Sequence, residues 1–227
     1  MDDTAGNLRL REVASRGPVL AVVAHPDDES FGLGAVLAML ASEGAEVRVL
    51  CLTRGEASTL GSAVDLAQVR REELAAAADL LGVRDVVLLD HPDGGLHEVD
   101  PAMLDAAVLD VLGAAATLVV FEGNGVTGHP DHRAATAAAF RVAADQGLNV
   151  VEWGVAPAVA DSLNAELGTE FAGLDGEGAV DVDVDRKVQS EAIACHESQA
   201  TDNPVLLRRL ALSGSVDRIR IHTATGV

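Results

Sequence analysis

A chain of 227 residues with 48% hydrophobic content is long enough to bury the core of one α/β domain, yet only 2% of it is aromatic, so that core must rest on Ala, Val and Leu. Sixteen Lys and Arg against 36 Asp and Glu leave a formal charge of −20 and a pI near 4.5. That field opposes phosphate backbones and anionic membranes, so neither nucleic acid nor membrane is an expected partner. Only Cys51 and Cys195 are present, in different expected elements, and no apolar run reaches the length of a membrane span or follows a charged leader. The expectation is a cytoplasmic enzyme without disulfides.

Residues 1–16 are polar, carry no motif, and are expected to lie on the surface or form a short helix. Residues 19–24 are apolar, rich in Val and too short for a helix, which predicts a buried parallel strand. Residues 29–42 read as one helix, closed by Gly44, with Asp27 or Asp28 capping its start and Gly32 and Gly34 allowing close approach to a neighbouring strand or site. A strand at 47–53 leads into a Gly-, Ser- and Thr-containing loop at 54–67, placed to cover a substrate. The pattern then predicts a helix at 68–81, a strand at 85–89, a turn-rich loop at 91–97, a helix at 101–113, a strand at 117–122 and a helix from 129 to about 146. Strands are expected at 150–155, at 180–184 on a sheet edge and at 218–222, with an irregular acidic stretch at 164–178 and a helix at 186–199. This alternation predicts a Rossmann-like, doubly wound, mostly parallel sheet with helices on both faces, and no linker divides residues 1–227.

The first expected strand ends in His25-Pro26-Asp27-Asp28-Glu29, and open α/β sheets place their chemistry at such carboxyl ends. His25 and Asp28 can converge on a divalent cation and leave Asp27 free to handle a proton. A further ligand is available from Gly128-His129-Pro130-Asp131-His132-Arg133, where both histidines are candidates. His-Pro-Asp also occurs at His91, but glycines follow it there, so His91 and His97 read as structural or exposed. On spacing alone the competing reading, in which these histidines and acids cap helices and satisfy loop carbonyls, stays open.

Ala24-His25-Pro26-Asp27-Asp28-Glu29 and His129-Pro130-Asp131-His132 resemble the two principal motifs of the LmbE-like or PIG-L-like deacetylases, zinc enzymes that act on N-acetylglucosaminyl compounds. Supporting matches occur in the family's order at Thr53-Arg54-Gly55-Glu56, Val69-Arg70-Arg71-Glu72-Glu73-Leu74, Pro92-Asp93-Gly94-Gly95-Leu96 and His196-Glu197-Ser198-Gln199. The resemblance implies that His25, Asp28 and His132 hold Zn2+, with Fe2+ as an alternative occupant, and that a coordination position is left for water. It implies that Asp27 is the general base and that His129, as an imidazolium, stabilises the oxyanion or protonates the leaving amine. Asp131 is expected to orient a histidine ring or cap its helix. Arg70 is expected to contact the sugar or pair with acids on its helix, and Glu56 to contact substrate or brace the loop. Residues 196–199 are expected to serve helix packing or an intersubunit contact.

The expected activity is therefore removal of an N-acetyl group from a small-molecule amino-sugar conjugate, with a homo-oligomer left open. Rival readings are a non-haem iron(II) enzyme using the same two-histidine, one-carboxylate set, and a catalytically inactive sugar-binding relative. A nucleotide-binding module would need a glycine-rich turn after the first strand, where His-Pro-Asp-Asp stands instead.

Overall fold

The computed structural model describes residues 4–60 and 63–224. In chain order the elements are α1 (Ala5–Arg16), β1 (Val19–Val23), α2 (Asp28–Phe31), α3 (Gly34–Ser42), β2 (Val47–Thr53), α4 (Leu66–Leu80), β3 (Asp85–His91), α5 (Pro101–Leu112) and β4 (Thr117–Phe121). There follow α6 (Pro130–Gln146), β5 (Asn149–Gly154), α7 (Pro157–Leu167), β6 (Ala179–Asp183), α8 (Arg186–Cys195), α9 (Glu197–Ala200), α10 (Pro204–Ser213) and β7 (Val216–His222). The strands form one seven-stranded sheet in the order β3-β2-β1-β4-β5-β7-β6. The first five are parallel; β7 inserts antiparallel between β5 and β6.

Strand residues alternate between two apolar layers, as the pleat dictates. Val19, Ala21 and Val23 face the layer that holds Leu10, Leu37 and Leu163, whereas Leu20 and Val22 face one closed by Leu104 of α5 and Val142 of α6. Helices thus cover both faces, and β1, β4 and β5 are buried along their whole length. The chain crosses to β2 on one side of β1 and to β5 on the far side of β4. The crevice where β1 and β4 sit side by side is therefore the topological switch point of the sheet, the position at which such folds bind ligands.

Several expectations are corrected in detail. The helix expected at 29–42 is broken into α2 and α3 at Gly32, a position with no room for a side chain because a Cβ there would run into Phe121 and Trp153. Neither Asp27 nor Asp28 caps it: Asp28 Oδ2 instead accepts from the backbone N–H groups of Ala24 and His25. The helix at 186–199 is likewise interrupted, at His196. Two further helices, α7 and α10, occupy stretches read as irregular or left unassigned. Both begin with proline at the first helical position, where its missing N–H does no harm, so a residue that signals a break instead marks a start. Cys51 and Cys195 are free thiols, and no helix among the described residues is long and apolar enough to cross a membrane. Residues 61 and 62 of the expected covering loop lie outside the described residues, and Ala57 to Leu60 line the cavity above the strand ends.

Candidate metal centre and active site

β1 delivers His25 to its carboxyl end, and the turn that follows folds Asp28 back toward it. His132 arrives from the first turns of α6, after β4. His25 Nδ1 lies 3.2 Å from His132 Nε2, His132 Nε2 lies 3.2 Å from Asp28 Oδ1, and Asp28 Oδ2 lies 3.6 Å from His25 Nδ1. The hydrogen-bond network assigns the tautomers. His25 Nε2 faces Asp131 Oδ2 at 3.3 Å and Asp93 Oδ1 at 3.1 Å, so it carries the hydrogen. His132 Nδ1 donates to the Gly125 carbonyl over 3.0 Å. Each ring therefore turns a lone pair toward the other and toward a carboxylate, with its second nitrogen held by a carboxylate or carbonyl. That is the donor chemistry of a divalent cation site, including the supporting partners that orient metal-bound histidines.

Electrostatics agree with a site that requires positive charge. Burial would lower the His25 pKa, but hydrogen bonds to Asp131 and Asp93 and the charges of Asp28 and Asp27 override it and raise it to about 10. Burial likewise disfavours charged His132, yet Asp28 raises it, and the histidines in turn hold Asp28 well below the usual carboxylate range against its own burial. Without a cation the cluster keeps a proton in its place.

Two other groupings compete for the role. His25, His129 and His132 bring ring nitrogens within 4.8 Å of one another, as do donor atoms of His25, Asp93 and Asp131. His129 Nδ1 accepts from the Asp131 backbone N–H at 3.2 Å, which leaves the hydrogen on Nε2, a donor position with no lone pair for a metal. Asp131 accepts from Gly94 N at 2.7 Å and Leu96 N at 3.0 Å, and Asp93 from Ala57 N at 2.8 Å. Both carboxylates are committed to backbone N–H groups and to the protonated edge of His25. The geometry favours the set of His25, Asp28 and His132.

Asp27 stands beside this set with Oδ2 3.0 Å from Arg70 Nη2. Burial pushes its carboxyl up and the Arg70 charge pulls it back, leaving a pKa of about 6. Its backbone adopts φ 141°, a conformation that L residues rarely take and that costs on the order of 1–3 kcal/mol. Its N–H is held at 3.0 Å by Glu29 Oε2, and Glu29 Oε1 accepts from Ser30 Oγ at 2.6 Å and meets His196 Nε2 at 2.7 Å, with Glu29 and His196 fully buried. Arg70 is itself buried and donates to the Gly55 and Pro26 carbonyls, so its guanidinium braces the turn around Asp27. Glu56 is exposed and accepts from Asp93 N at 3.3 Å on the cavity rim. His129 is half-buried, and burial together with the His132 and His25 charges lowers its pKa, which favours the neutral ring over the imidazolium.

The sequence alone did not single out Glu29, Asp93 or the work of residues 196–199. Neither His91 nor His97 falls in a candidate metal grouping among the described residues, while Asp93 two residues beyond His91 comes in against His25. In place of simple helix packing, His196 meets Glu29, Ser198 donates to both oxygens of Glu73, and Gln199 accepts from Ser58 and donates to the Leu60 carbonyl. A buried histidine late in the chain, with a glutamate in the first motif lacking any other task, is the signal that could have linked them.

The fold and this donor set define the class: a doubly wound α/β protein with a candidate metal centre at its switch point. The family model described as PIG-L, GlcNAc-PI de-N-acetylase, matches residues 20–143, and the chain belongs to that family. It is 32% identical to a 1D-myo-inositol 2-acetamido-2-deoxy-alpha-D-glucopyranoside deacetylase of Kineococcus radiotolerans, over 88% of this chain and 75% of that protein. It is 33% identical to a probable N-acetylglucosaminyl-phosphatidylinositol de-N-acetylase of Schizosaccharomyces pombe, over 55% of this chain and 51% of that one, so it spans about half the length of this relative. The zinc-inhibited form of the teicoplanin deacetylase Orf2 shares the fold, with a TM-score of 0.65 at 20% identity over 92% of this chain and all of that one.

A His25 pKa raised from 6.5 to about 10 stabilises the folded chain fully below pH 6.5, and that contribution is lost as pH rises through 10. Metal-free protein is expected to lose thermal stability across this window, while zinc-saturated protein holds it because the cation replaces the proton. Parallel pH profiles of the melting temperature check this, and superimposable profiles would contradict it. His196→Ala is expected to lower stability by about 3 kcal/mol in urea unfolding, the scale of breaking a buried ionisable pair, and to slow turnover while metal content stays unchanged.

Proposed function

We propose that this chain is a zinc-dependent N-deacetylase that hydrolyses the acetamide of an N-acetylglucosaminyl conjugate to acetate and the free amine. The observation that supports this most is the meeting of His25 Nδ1, His132 Nε2 and the Asp28 carboxylate beside a cavity of about 500 Å³, onto which Asp27 and His129 also face. That volume suits a sugar-sized ligand. Ser58, Asp93 and Gln199 add polar groups to its walls for hydroxyl recognition. The deacetylase activities of the relatives named above support the same chemistry.

His25, Asp28 and His132 would hold the cation. When bound, zinc supplies Lewis acidity, polarising a carbonyl and acidifying water near neutral pH. Asp27 performs the proton transfers. Arg70 engages its Oδ2, which leaves Oδ1 to take a proton from the attacking water and return it to the amine nitrogen as the C–N bond breaks. His129, whose Nδ1 accepts from the Asp131 N–H and whose Nε2 therefore carries a hydrogen, donates a hydrogen bond to the negative charge that develops on the carbonyl oxygen. Asp131 keeps His25 in the tautomer that frees Nδ1. Arg70 acts on substrate mainly through Asp27, and Glu56 by holding the Asp93 loop at the rim. The formal charge of −20 opposes approach to an anionic lipid surface, which favours a water-borne conjugate.

Chelation is expected to abolish release of free amine from N-acetylglucosamine conjugates, and added zinc to restore it; full activity of rigorously metal-free protein would contradict the mechanism. Metal analysis of the protein as isolated decides between zinc and Fe2+. Asp27→Asn is expected to keep the metal and lose roughly 100- to 10,000-fold in turnover, whereas Asp28→Asn loses the metal. Because Asp27 must be ionised to act, kcat/KM should fall toward acid pH with an apparent pKa no higher than about 6. A cation beside it can only lower that value.

A further inference from the structure

The chain holds five aromatic residues, four Phe and one Trp. Four of them, Phe31, Phe121, Trp153 and Phe171, line a single cavity of about 170 Å³, closed further by Val126 and Leu206. At one end of that cavity are Asp28 and His132, which also border the larger cavity, so the two spaces meet at the proposed ligand set. Asp27 and His129 face the larger space only. In amide hydrolysis the group that returns a proton must reach the departing nitrogen, so the amine and its sugar occupy the larger, polar cavity. The substituent on the acyl carbon then points the other way, into the aromatic one.

An acetyl methyl would leave most of that space empty. An apolar cavity of about 150 Å³ is large enough for benzene, which sets the capacity here at about six carbons. The walls are fixed in place. Phe121 packs 5.0 Å from the His132 ring and 5.5 Å from Trp153, and Gly32 is the residue whose missing Cβ makes room for both. Arg209 also lines this cavity: its guanidinium lies over Trp153 at 5.5 Å and donates to the Phe31 carbonyl, and its Nη1 is buried without a hydrogen-bond partner. We propose that this cavity is an acyl pocket and that the chain hydrolyses N-acyl amino sugars with unbranched acyl groups of about four to six carbons in preference to N-acetyl ones. This rests on the deacylation chemistry proposed above and goes beyond it in naming the acyl class.

The test compares N-acetyl-, N-butanoyl-, N-hexanoyl- and N-decanoylglucosamine as substrates of the zinc-loaded chain. Each buried methylene is worth up to roughly fourfold, so kcat/KM is expected to rise at least tenfold from acetyl to hexanoyl and to collapse at decanoyl. Val205→Phe, which fills space at a half-buried wall position away from the ligand set, is expected to erase the gain, bringing the hexanoyl-to-acetyl ratio of kcat/KM down at least tenfold. A second readout is calorimetric binding of N-hexanoyl- against N-acetylglucosamine to zinc-loaded Asp27→Asn, with at least tenfold tighter binding of the former expected. Acetyl hydrolysis without a hexanoyl advantage in either rate or binding overturns the acyl pocket. Tight, Val205-sensitive hexanoyl binding with no hydrolysis of any member supports the pocket and overturns the hydrolase reading instead.

Discussion

Two imidazole lone pairs and a carboxylate do not share a few ångströms unless something positive lies among them. His25, His132 and Asp28 are brought to that separation by β1 and β4, central, buried strands paired directly to each other, and by the turns that follow them. The sheet topology supplies the placement, and the partners on the outer ring nitrogens supply the orientation. In the metal-free chain a proton fills the gap, which is why the His25 pKa rises despite a burial that opposes it. Nearly every polar contact around the crevice serves either to keep the three donors pointed inward or to keep other groups out of their way.

The same turn must also present a second acid that does not join the donor set. Asp27 achieves this through a backbone conformation that ordinary residues avoid, and the surrounding network holds it there. Glu29 takes its N–H, His196 holds Glu29, and Arg70 takes one of its carboxylate oxygens. These supports come from α2, the α8–α9 junction and α4, elements distant in sequence. A strained residue supported from three directions is pre-set for one proton-transfer position, which separates the roles of two adjacent aspartates of like chemistry.

Much of this was legible in the sequence, and the remainder was hidden for identifiable reasons. The strand runs at 19–24, 47–53 and 117–122 show themselves by composition, and polar residues that follow such runs collect at one edge of a parallel sheet. The proximity of His25, Asp28, His129 and His132 follows from that rule. Periodicity could not show that β7 runs antiparallel between β5 and β6, since direction depends on a connection and not on a pattern. Nor could it show the break at Gly32, or that Phe121 and Trp153 from other strands leave no room for a side chain there. Asp93 was obscured by its glycine-rich setting, and the Glu29–His196 pair by a separation of 167 residues. The clustering of four aromatic residues in one cavity is likewise a tertiary fact, since Phe31, Phe121, Trp153 and Phe171 are scattered along the chain.

Anomalous diffraction at the zinc absorption edge, from crystals of the full chain grown with zinc, tests the ligand assignment most directly. One peak at about 2.0–2.2 Å from His25 Nδ1, His132 Nε2 and an Asp28 oxygen, with His129 Nε2 beyond bonding distance, is the predicted result. A peak bonded to His129 in place of Asp28, or lying on the Asp93 and Asp131 side of the His25 ring, would contradict it.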